Sequence, residues 1–261
     1  MSVSVSNRMS EPNVSCASTQ SFEPILAKED ALLLQDDATS PKTAEDLQVK
    51  MVQCTGSLTE PLTHAEFLHI YDRSEEDARC TFWKPGRLGT EVDDPLNDKI
   101  GSIHVHQSIM GITVSLILFC TGKFKLSLGR GLEQRSCSID DVHELAECIL
   151  FRVAGRFIEN FQVHLISAMK LYQEIDSVYA MQNVMERSES YAIVRRPHFH
   201  ESGRVCAVRG YIDANNRANV SIDHGGWAHF TGFKTASDLL HAEETFHRCM
   251  DQYRRVEECK A

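Results

Sequence analysis

A strand–turn–strand unit occurs twice in the sequence, and this duplication limits the possible folds more than any other feature. The first copy runs from Ile112 to Arg130 (ITVSLILFCTGKFKLSLGR), and a weaker copy runs from Asn219 to Lys234 (NVSIDHGGWAHFTGFK). Each copy has a glycine in its tight turn, Gly122 or Gly226, and an amphipathic helix with capping residues follows each copy. Repetition of a whole supersecondary unit at a long period predicts a pseudo-symmetric fold made of two halves.

Both halves have the same predicted order of elements: a strand, a helix, several antiparallel strands and a long helix. We expect a tail without structure at 1–46, where apolar residues are too few to offset the entropy of ordering. The first half then covers 47–159, with an inserted surface loop at about 73–98, and the second half covers 160–261. The predicted fold class is α+β, an antiparallel sheet with helices on one face and the other face open.

Several element boundaries follow from local signals. The capping box Thr63-x-x-Glu66 starts the first helix. The first strand of the first half is predicted at Val49 to Thr55, and the first helix of the second half at about Tyr172 to Arg187. The segment from Tyr191 to His200 is compatible with a short strand and a loop.

The composition suits a globular protein of one or two domains, with 42% hydrophobic and 25% charged residues among 261. No apolar run is long enough for a membrane span, and the N-terminus lacks the pattern of a secretory signal. Nine cysteines without a CxxC pair favour reduced thiols in an intracellular compartment.

The formal net charge of -10 has the wrong sign for a protein that binds nucleic acid, although about half of it lies in the tail.

The alternation of side chains in the first hairpin assigns two faces to the predicted strands. One face is wholly apolar and requires covering helices: Ile112, Val114, Leu116, Leu118, Phe124, Leu126 and Leu128. The other face mixes hydroxyls, lysines and two large apolar residues: Thr113, Ser115, Ile117, Phe119, Lys123, Lys125 and Ser127. This mixed face is either a binding surface or the partly wetted outer face of the sheet.

The sequence offers little for catalysis. The pairs His104-x-His106 and His198-x-His200 have a spacing that suits metal ligands, but no cysteine or carboxylate completes either set. The sequence has no P-loop, nucleophile elbow or HExxH motif. We expect no enzymatic activity, no cofactor and no metal; a hydrolase with a histidine-bound metal is the remaining catalytic alternative.

The repeated units resemble the TATA-binding protein family over about Leu47 to Tyr253. Leu116 to Arg130 is similar to the family's LIF-S-S-G-K strand–turn–strand, and Val220 to Lys234 keeps its Thr-Gly-x-Lys ending. The resemblance implies a pseudo-twofold saddle, a curved antiparallel sheet with helices on the convex face and DNA against the concave face. The chain then resembles a divergent TATA-binding-protein-related factor, such as one from a protist or a large virus.

The resemblance also implies which residues contact DNA. Phe119 takes the place of one of the family's four wedging phenylalanines, and its second-half counterpart is Asp223. The other two wedges fall near Ser102 and Cys206, with Phe82 and Tyr191 as alternatives. The implied DNA-binding set is Lys50, Val52, Ser115, Ile117, Phe119, Lys125, Ser127, Arg130, His164, Ile166, Ser221, Trp227, Thr231 and Lys234.

The roles implied for these residues differ. Lys50 and His164 replace two asparagines at the groove centre, while Val52, Ile117 and Ile166 pack on the groove floor. Ser127 and Thr231 reach base edges or sugars, and the cations Lys125, Arg130 and Lys234 meet phosphates. Trp227 is either a substitute wedge or a residue of the core or the turn.

The function implied is that of a general transcription initiation factor with weak or relaxed TATA specificity. Its implied partners are promoter DNA, proteins similar to transcription factors IIA and IIB, and the RNA polymerase machinery, but no membrane. The location implied is the nucleus, or a viral factory or virion for a viral protein. The alternative is an interaction module that keeps the fold and has lost DNA binding.

Overall fold

Ten strands and four helices make up the part of the chain that the structure describes. This computed structural model describes residues 46–72, 78–86, 90–134, 142–199, 205–215 and 217–259. The strands are β1 (Gln48–Leu58), β2 (Arg79–Trp83), β3 (Ser102–Ile109), β4 (Ile112–Phe119), β5 (Lys123–Leu128), β6 (Ile158–Leu171), β7 (Ile193–Phe199), β8 (Val205–Tyr211), β9 (Asn219–Ile222) and β10 (Trp227–Phe233). The helices are α1 (His64–Asp72), α2 (Val142–Ala154), α3 (Val178–Arg187) and α4 (Ala236–Glu258).

All ten strands belong to one curved antiparallel sheet in the order β2-β3-β4-β5-β1-β6-β10-β9-β8-β7. The strands of the first half run outward from β1, and the strands of the second half run outward from β6 in the same sequence order. The sheet is open, since β2 and β7 are its two edges. The α+β sheet predicted from the duplicated hairpin is therefore confirmed.

The two halves meet along the ladder between β1 and β6. Val52 pairs with Ile166 on this ladder, and both side chains have no solvent exposure. The ladder contains register shifts between Val49 and Met51, between Gln53 and Cys54, and between Thr55 and Ser57. Strand β6 begins at Ile158, just before the predicted boundary at residue 160, and that boundary stays a prediction.

The turns of the two repeated hairpins have the same hydrogen bonds. In the first turn Gly122 N–H donates to the Phe119 carbonyl at 2.9 Å, and in the second Gly226 N–H donates to the Asp223 carbonyl at 3.2 Å. Both glycines have positive φ angles, 79° and 83°, which explains why glycine occupies both positions. The carbonyls of Gly122 and Gly226 in turn accept from Leu58 and Tyr172, at the ends of the two central strands. Phe119 and Asp223 are therefore equivalent positions.

The helices cover one face of the sheet. All the apolar residues assigned to the covered face of β4 and β5 are at most 2% exposed, and they share one core with residues of all four helices. The ring of His143 in α2 packs on Phe161 of β6, with centroids 4.8 Å apart. The mixed face of the same hairpin lies on the open side, where Phe119 is 39% exposed. The assignment of faces in this hairpin is therefore confirmed.

Two predicted elements are wrong. Arg79–Trp83, assigned to a surface loop, forms strand β2, because its alternating residues pair with β3 and bury Phe82 on the covered side. The helix expected from Tyr172 begins only at Val178, since Tyr172 and Ile175 donate backbone hydrogen bonds to the turn of the second hairpin. Ser177 caps that helix by accepting from the backbone of Ala180.

Two other predicted features are present. The segment from Tyr191 contains strand β7. The capping box at Thr63 and Glu66 has reciprocal hydrogen bonds of 3.3 and 2.7 Å. The tail up to residue 45 lies outside the described residues. Within the described ranges, no helix is both long and apolar enough to cross a membrane.

Candidate nucleic-acid interface

Basic and acidic residues are distributed unequally between the strands and the helices. In the described strands the only acidic residue is Glu159, at the start of β6. The same strands contain the basic residues Lys50, Arg79, Lys123, Lys125, Lys170, Arg195, Arg196 and Arg209. The helices carry the carboxylates Glu66, Asp72, Glu144, Glu147, Glu186, Asp238, Glu243, Glu244 and Asp251 against the arginines Arg152, Arg187, Arg248, Arg254 and Arg255. Within the net charge of -10, the described strands are therefore net positive and the helices net negative.

The open face of the first half brings together five of the predicted DNA-binding residues. Ile117 of β4 lies opposite Lys125 of β5, and Ser115 lies opposite Ser127. Phe119 closes β4 at its turn. Lysines, hydroxyls and an exposed aromatic ring therefore share one surface.

The row continues into β1 through residues that the sequence interpretation missed. Gln53 lies opposite Ser127, and Thr55 lies opposite Lys125. The Thr55 hydroxyl also hydrogen-bonds His164 Nε2 of β6 at 2.5 Å, which places the predicted His164 beside this row. The uncharged side chains of Gln53 and Thr55 supply both donors and acceptors at the centre of the sheet.

Two predicted residues lie on the wrong face. Val52 pairs with Leu128 and with Ile166, and all three side chains are fully buried among the covered-face residues. Val52 and Ile166 therefore do not reach the open surface, and the prediction that they contact a groove floor is wrong. The register of β1 against β5 is regular from Val52 to Ser57, so Val52 and Cys54 face the covered side while Gln53 and Thr55 face the open side.

The remaining first-half cations lie at the edge of this surface. Lys50 Nζ is 3.9 Å from a carboxylate oxygen of Glu133, in the short 3-10 turn after β5, so an internal partner competes for its charge. Arg130 follows β5 and is exposed. Both lie far along the ladder from the turn that carries Phe119.

The second half presents fewer groups for an anion. Thr231 of β10 lies opposite Asn219 and is half-buried, while Ser221, opposite His229, is only 7% exposed. Lys234 is exposed just after β10. Ser221 is thus the least accessible of the predicted residues on this side.

Asp223 occupies the position equivalent to Phe119, but its carboxylate has a structural role. Asp223 Oδ1 accepts a hydrogen bond from the backbone N–H of Trp227 at 2.9 Å, across the turn of the second hairpin. Trp227 is half-buried and lies opposite Leu171 of β6. The second turn therefore presents an indole and a carboxylate with one oxygen hydrogen-bonded to the backbone, where the first turn presents a phenylalanine.

The alternative wedge residues are buried. Phe82 is 5% exposed and packs against Tyr71 of α1, with ring centroids 5.4 Å apart. Tyr191 is 8% exposed, and burial raises the pKa of its hydroxyl. Both belong to the covered core and not to the open face, so these two predictions are wrong. The side chain of Cys206 lies outside the described residues.

A cavity of about 600 Å³ opens on the same face as Phe119. Its lining includes Trp83, Ser102, His104, Ile117 and Phe119, from three adjacent strands. The rings of Trp83 and His104 lie 5.0 Å apart, and desolvation lowers the pKa of His104. Trp83 was not among the predicted residues because its segment was taken for a loop.

No group of three or more histidine, cysteine or acidic side chains in the described ranges is arranged to hold a metal ion. His104 and His106 both lie on open-face positions of β3, opposite Ile117 and Ser115. His200 is outside the described residues. The arrangement that the structure describes is a surface of cations, hydroxyls and aromatic rings.

No protein-family model matches the sequence, and no curated protein matches it. Among solved structures, the chain is similar to the TBP of Methanococcus jannaschii, with 14% sequence identity and a TM-score of 0.49. The similarity covers 79% of this chain and 99% of that one. The fold assignment given above rests on strand order, register and burial.

Proposed function

We propose that the open face binds DNA and that the protein acts as a TATA-binding-protein-related transcription initiation factor. The observation that carries this proposal is the near absence of carboxylates from the described strands, on a surface that also exposes Phe119 and two lysines. Polyanion binding draws its affinity from cations that displace counterions. A chain with a net charge of -10 can present a cationic surface only if its charges are separated, as they are between the sheet and the helices.

The proposed mode of binding places the duplex across the open sheet, with its minor groove towards β1 and β6. Phe119 wedges a base step from the first half, as apolar side chains do in minor-groove complexes. Lys125, Arg130 and Lys234 pair with phosphates, while Thr55, His164, Ser127 and Thr231 donate to sugars or base edges. The unequal halves favour weak binding with relaxed TATA specificity, strengthened by partners similar to transcription factors IIA and IIB.

The test is a titration of fluorescein-labelled duplexes with the purified protein at several salt concentrations. We expect binding in low salt, with a log–log salt slope of about -0.9 for each phosphate contacted. Phe119→Ala should weaken binding roughly tenfold, because one aromatic contact with a base contributes about 1–3 kcal/mol. Leu240→Ala is the matched control, since Leu240 is an exposed apolar residue on α4.

A second function is favoured by specific observations. Asp223 at a wedge position and the Lys50–Glu133 pair both weaken an anion site, and they suit an interaction module without DNA binding. Absence of binding to any duplex at about 20 mM salt, with the protein folded, would overturn the first function and leave the second.

A further inference from the structure

The cavity beside Phe119 exists because a small residue separates two large aromatic ones. Trp83 lies opposite Ser102 in the β2–β3 ladder, and Ser102 lies opposite Phe119 in the β3–β4 ladder. The two aromatic residues are thus two strand spacings apart, about 10 Å. A flat ring stacked on both faces needs about 7 Å, because carbon atoms pack about 3.5 Å apart. The row Trp83–Ser102–Phe119, here called the aromatic slot, has a backbone spacing that matches the thickness of one stacked ring.

The aromatic slot has the polarity of a ligand site. Its volume of about 600 Å³ lies within the range of small-ligand pockets, roughly 300–1,000 Å³. Its walls are mostly apolar, and Ser102 and His104 add polar groups. Trp83 Nε1 is buried and has no hydrogen-bond partner in the described part of the chain.

The charges around the slot indicate which ligand fits it. Lys125 lies opposite Ile117, which lines the cavity, and Lys123 is exposed across the turn from Phe119. No carboxylate occurs in strands β2, β3, β4 or β5, but Lys84, which lines the cavity, forms ion pairs with Asp93 and Asp98 just beyond β2. A planar group attached to a phosphate chain satisfies both the rings and the lysines, whereas an apolar side chain of a protein uses only the rings.

We propose that the aromatic slot holds a single unstacked nucleobase, so that the protein prefers DNA with unpaired bases over fully paired duplex. This inference rests on the proposed function and makes it more specific. The base lies between Trp83 and Phe119, and the adjoining phosphates lie near Lys123 and Lys125. Extruding a base from intact duplex costs free energy, and that cost is smallest where the base is already unpaired.

The experiment compares three labelled DNAs of one sequence: a paired duplex, the duplex with four unpaired bases at its centre, and the single strand. Binding to the bubble should be roughly five- to hundredfold tighter than to the duplex, as expected for stacking one base. Trp83→Leu should abolish this preference while leaving duplex affinity in place. Tyr71→Leu, an exposed aromatic on the helix-covered side of the same half, is the control.

A spectroscopic measurement keeps the test independent of the stability of the Trp83→Leu variant. The sequence has two tryptophans, so Trp227→Phe leaves Trp83 as the sole indole emitter. Stacking of a base on Trp83 should quench its fluorescence on addition of the bubble DNA, in proportion to occupancy. Quenching by N-acetylphenylalaninamide but not by DNA would mean that the slot takes an apolar side chain, and would overturn the proposal.

The outcomes separate the two levels of inference. Equal affinities for duplex and bubble, with measurable binding to both, would overturn the aromatic slot as a base site and leave the proposed function intact. Failure to bind any of the three DNAs would overturn both. A bubble preference that survives Trp83→Leu would also overturn the assignment of the slot.

Discussion

At the scale of single residues, Phe119 and Asp223 occupy equivalent turn positions with the same backbone hydrogen bond but different side-chain chemistry. Both residues accept the same turn hydrogen bond from glycine through their carbonyls. Only Asp223 adds a side-chain hydrogen bond, to the Trp227 backbone. Its carboxylate therefore stabilises a turn and at the same time places negative charge on the surface proposed to meet phosphates.

Two substitutions separate these effects. Asp223→Asn keeps an acceptor oxygen for Trp227 and removes the charge, so DNA should bind several-fold more tightly with little change in stability. Asp223→Ala also removes the charge but loses the acceptor, and should cost about 1 kcal/mol of unfolding free energy. Urea unfolding and the duplex titration measure both quantities. Identical DNA affinity for Asp223→Asn and the parent protein would show that the carboxylate does not face the DNA.

At the scale of elements, the two hairpins are alike in hydrogen bonding but differ in the space around their glycines. A Cβ atom on Gly226 would lie 2.4 Å from the carbonyl oxygen of Gln173, whereas one on Gly122 would lie 3.3 Å from that of Glu60. Gly111, in the turn between β3 and β4, has a φ of 74° and nothing within 4 Å. These three positions separate backbone strain from steric overlap.

Alanine substitutions at the three glycines should follow that order. Gly111→Ala reports the left-handed φ alone, roughly 1–2 kcal/mol. Gly122→Ala should cost slightly more, and Gly226→Ala clearly the most, because the Gln173 backbone must move. Chemical unfolding of each variant gives the comparison. Equal losses at Gly226 and Gly111 would contradict the close approach seen at the second turn.

The capping box of α1 gives a prediction about pH. Partial desolvation raises the pKa of Glu66, but hydrogen bonds from Thr63 and the Arg156 guanidinium outweigh it, and the pKa falls below its usual 4.5. A carboxylate with a lowered pKa stabilises the fold above its unfolded pKa, and this contribution is lost as pH falls through the folded pKa. Glu66→Gln should therefore be less stable than the parent at pH 7, and the difference should shrink as pH falls through the lowered folded-state pKa of Glu66.

That measurement is a pair of thermal unfolding series between pH 3 and 7. Thr63→Ala should reduce the same pH dependence in part, because it removes the hydroxyl and leaves the Arg156 pair. A stability difference for Glu66→Gln that is constant across this range would contradict the charge-based account.

The elements also show how far the sequence could predict the site. Alternation in β4 and β5 is unbroken, so the covered and open residues of that hairpin could be assigned from the sequence. In β1 the resemblance placed Val52 on the open face, whereas its pairing with the buried Leu128 puts it on the covered face. Trp83 was not predicted because its segment, which precedes a turn-rich sequence, was assigned to a loop. Strand β2 forms there through pairing with β3. Register set by a neighbouring strand leaves no local signal.

At the scale of the whole molecule, the charges of sheet, helices and tail act together at long range. The tail at 1–45 adds Glu11, Glu23, Glu29, Asp30, Asp36, Asp37 and Glu45 against Arg8, Lys28 and Lys42. Net negative charge slows association with a polyanion even when the binding face is basic. The described strands are net positive, because they contain more basic than acidic residues, whereas the complete chain is net negative.

Removal of residues 1–45 should raise the association rate with duplex DNA several-fold in low salt, with a small effect on dissociation. The effect should disappear near 0.5 M salt, where screening confines charge interactions to a few ångströms. Stopped-flow anisotropy of the two chains at both salt concentrations measures it. An acceleration that persists in high salt would point to direct blocking of the surface and not to charge.

The central ladder between β1 and β6 has a consequence for how such a molecule can be assembled. Each half alone would end in an unpaired edge strand whose best complement is the corresponding strand of the other half. Because Val52 and Ile166 face one another at matching positions, two copies of a single half would meet in a self-complementary contact. A chain of half this length could thus build the ten-stranded sheet as a homodimer, and joining the copies leaves each free to diverge.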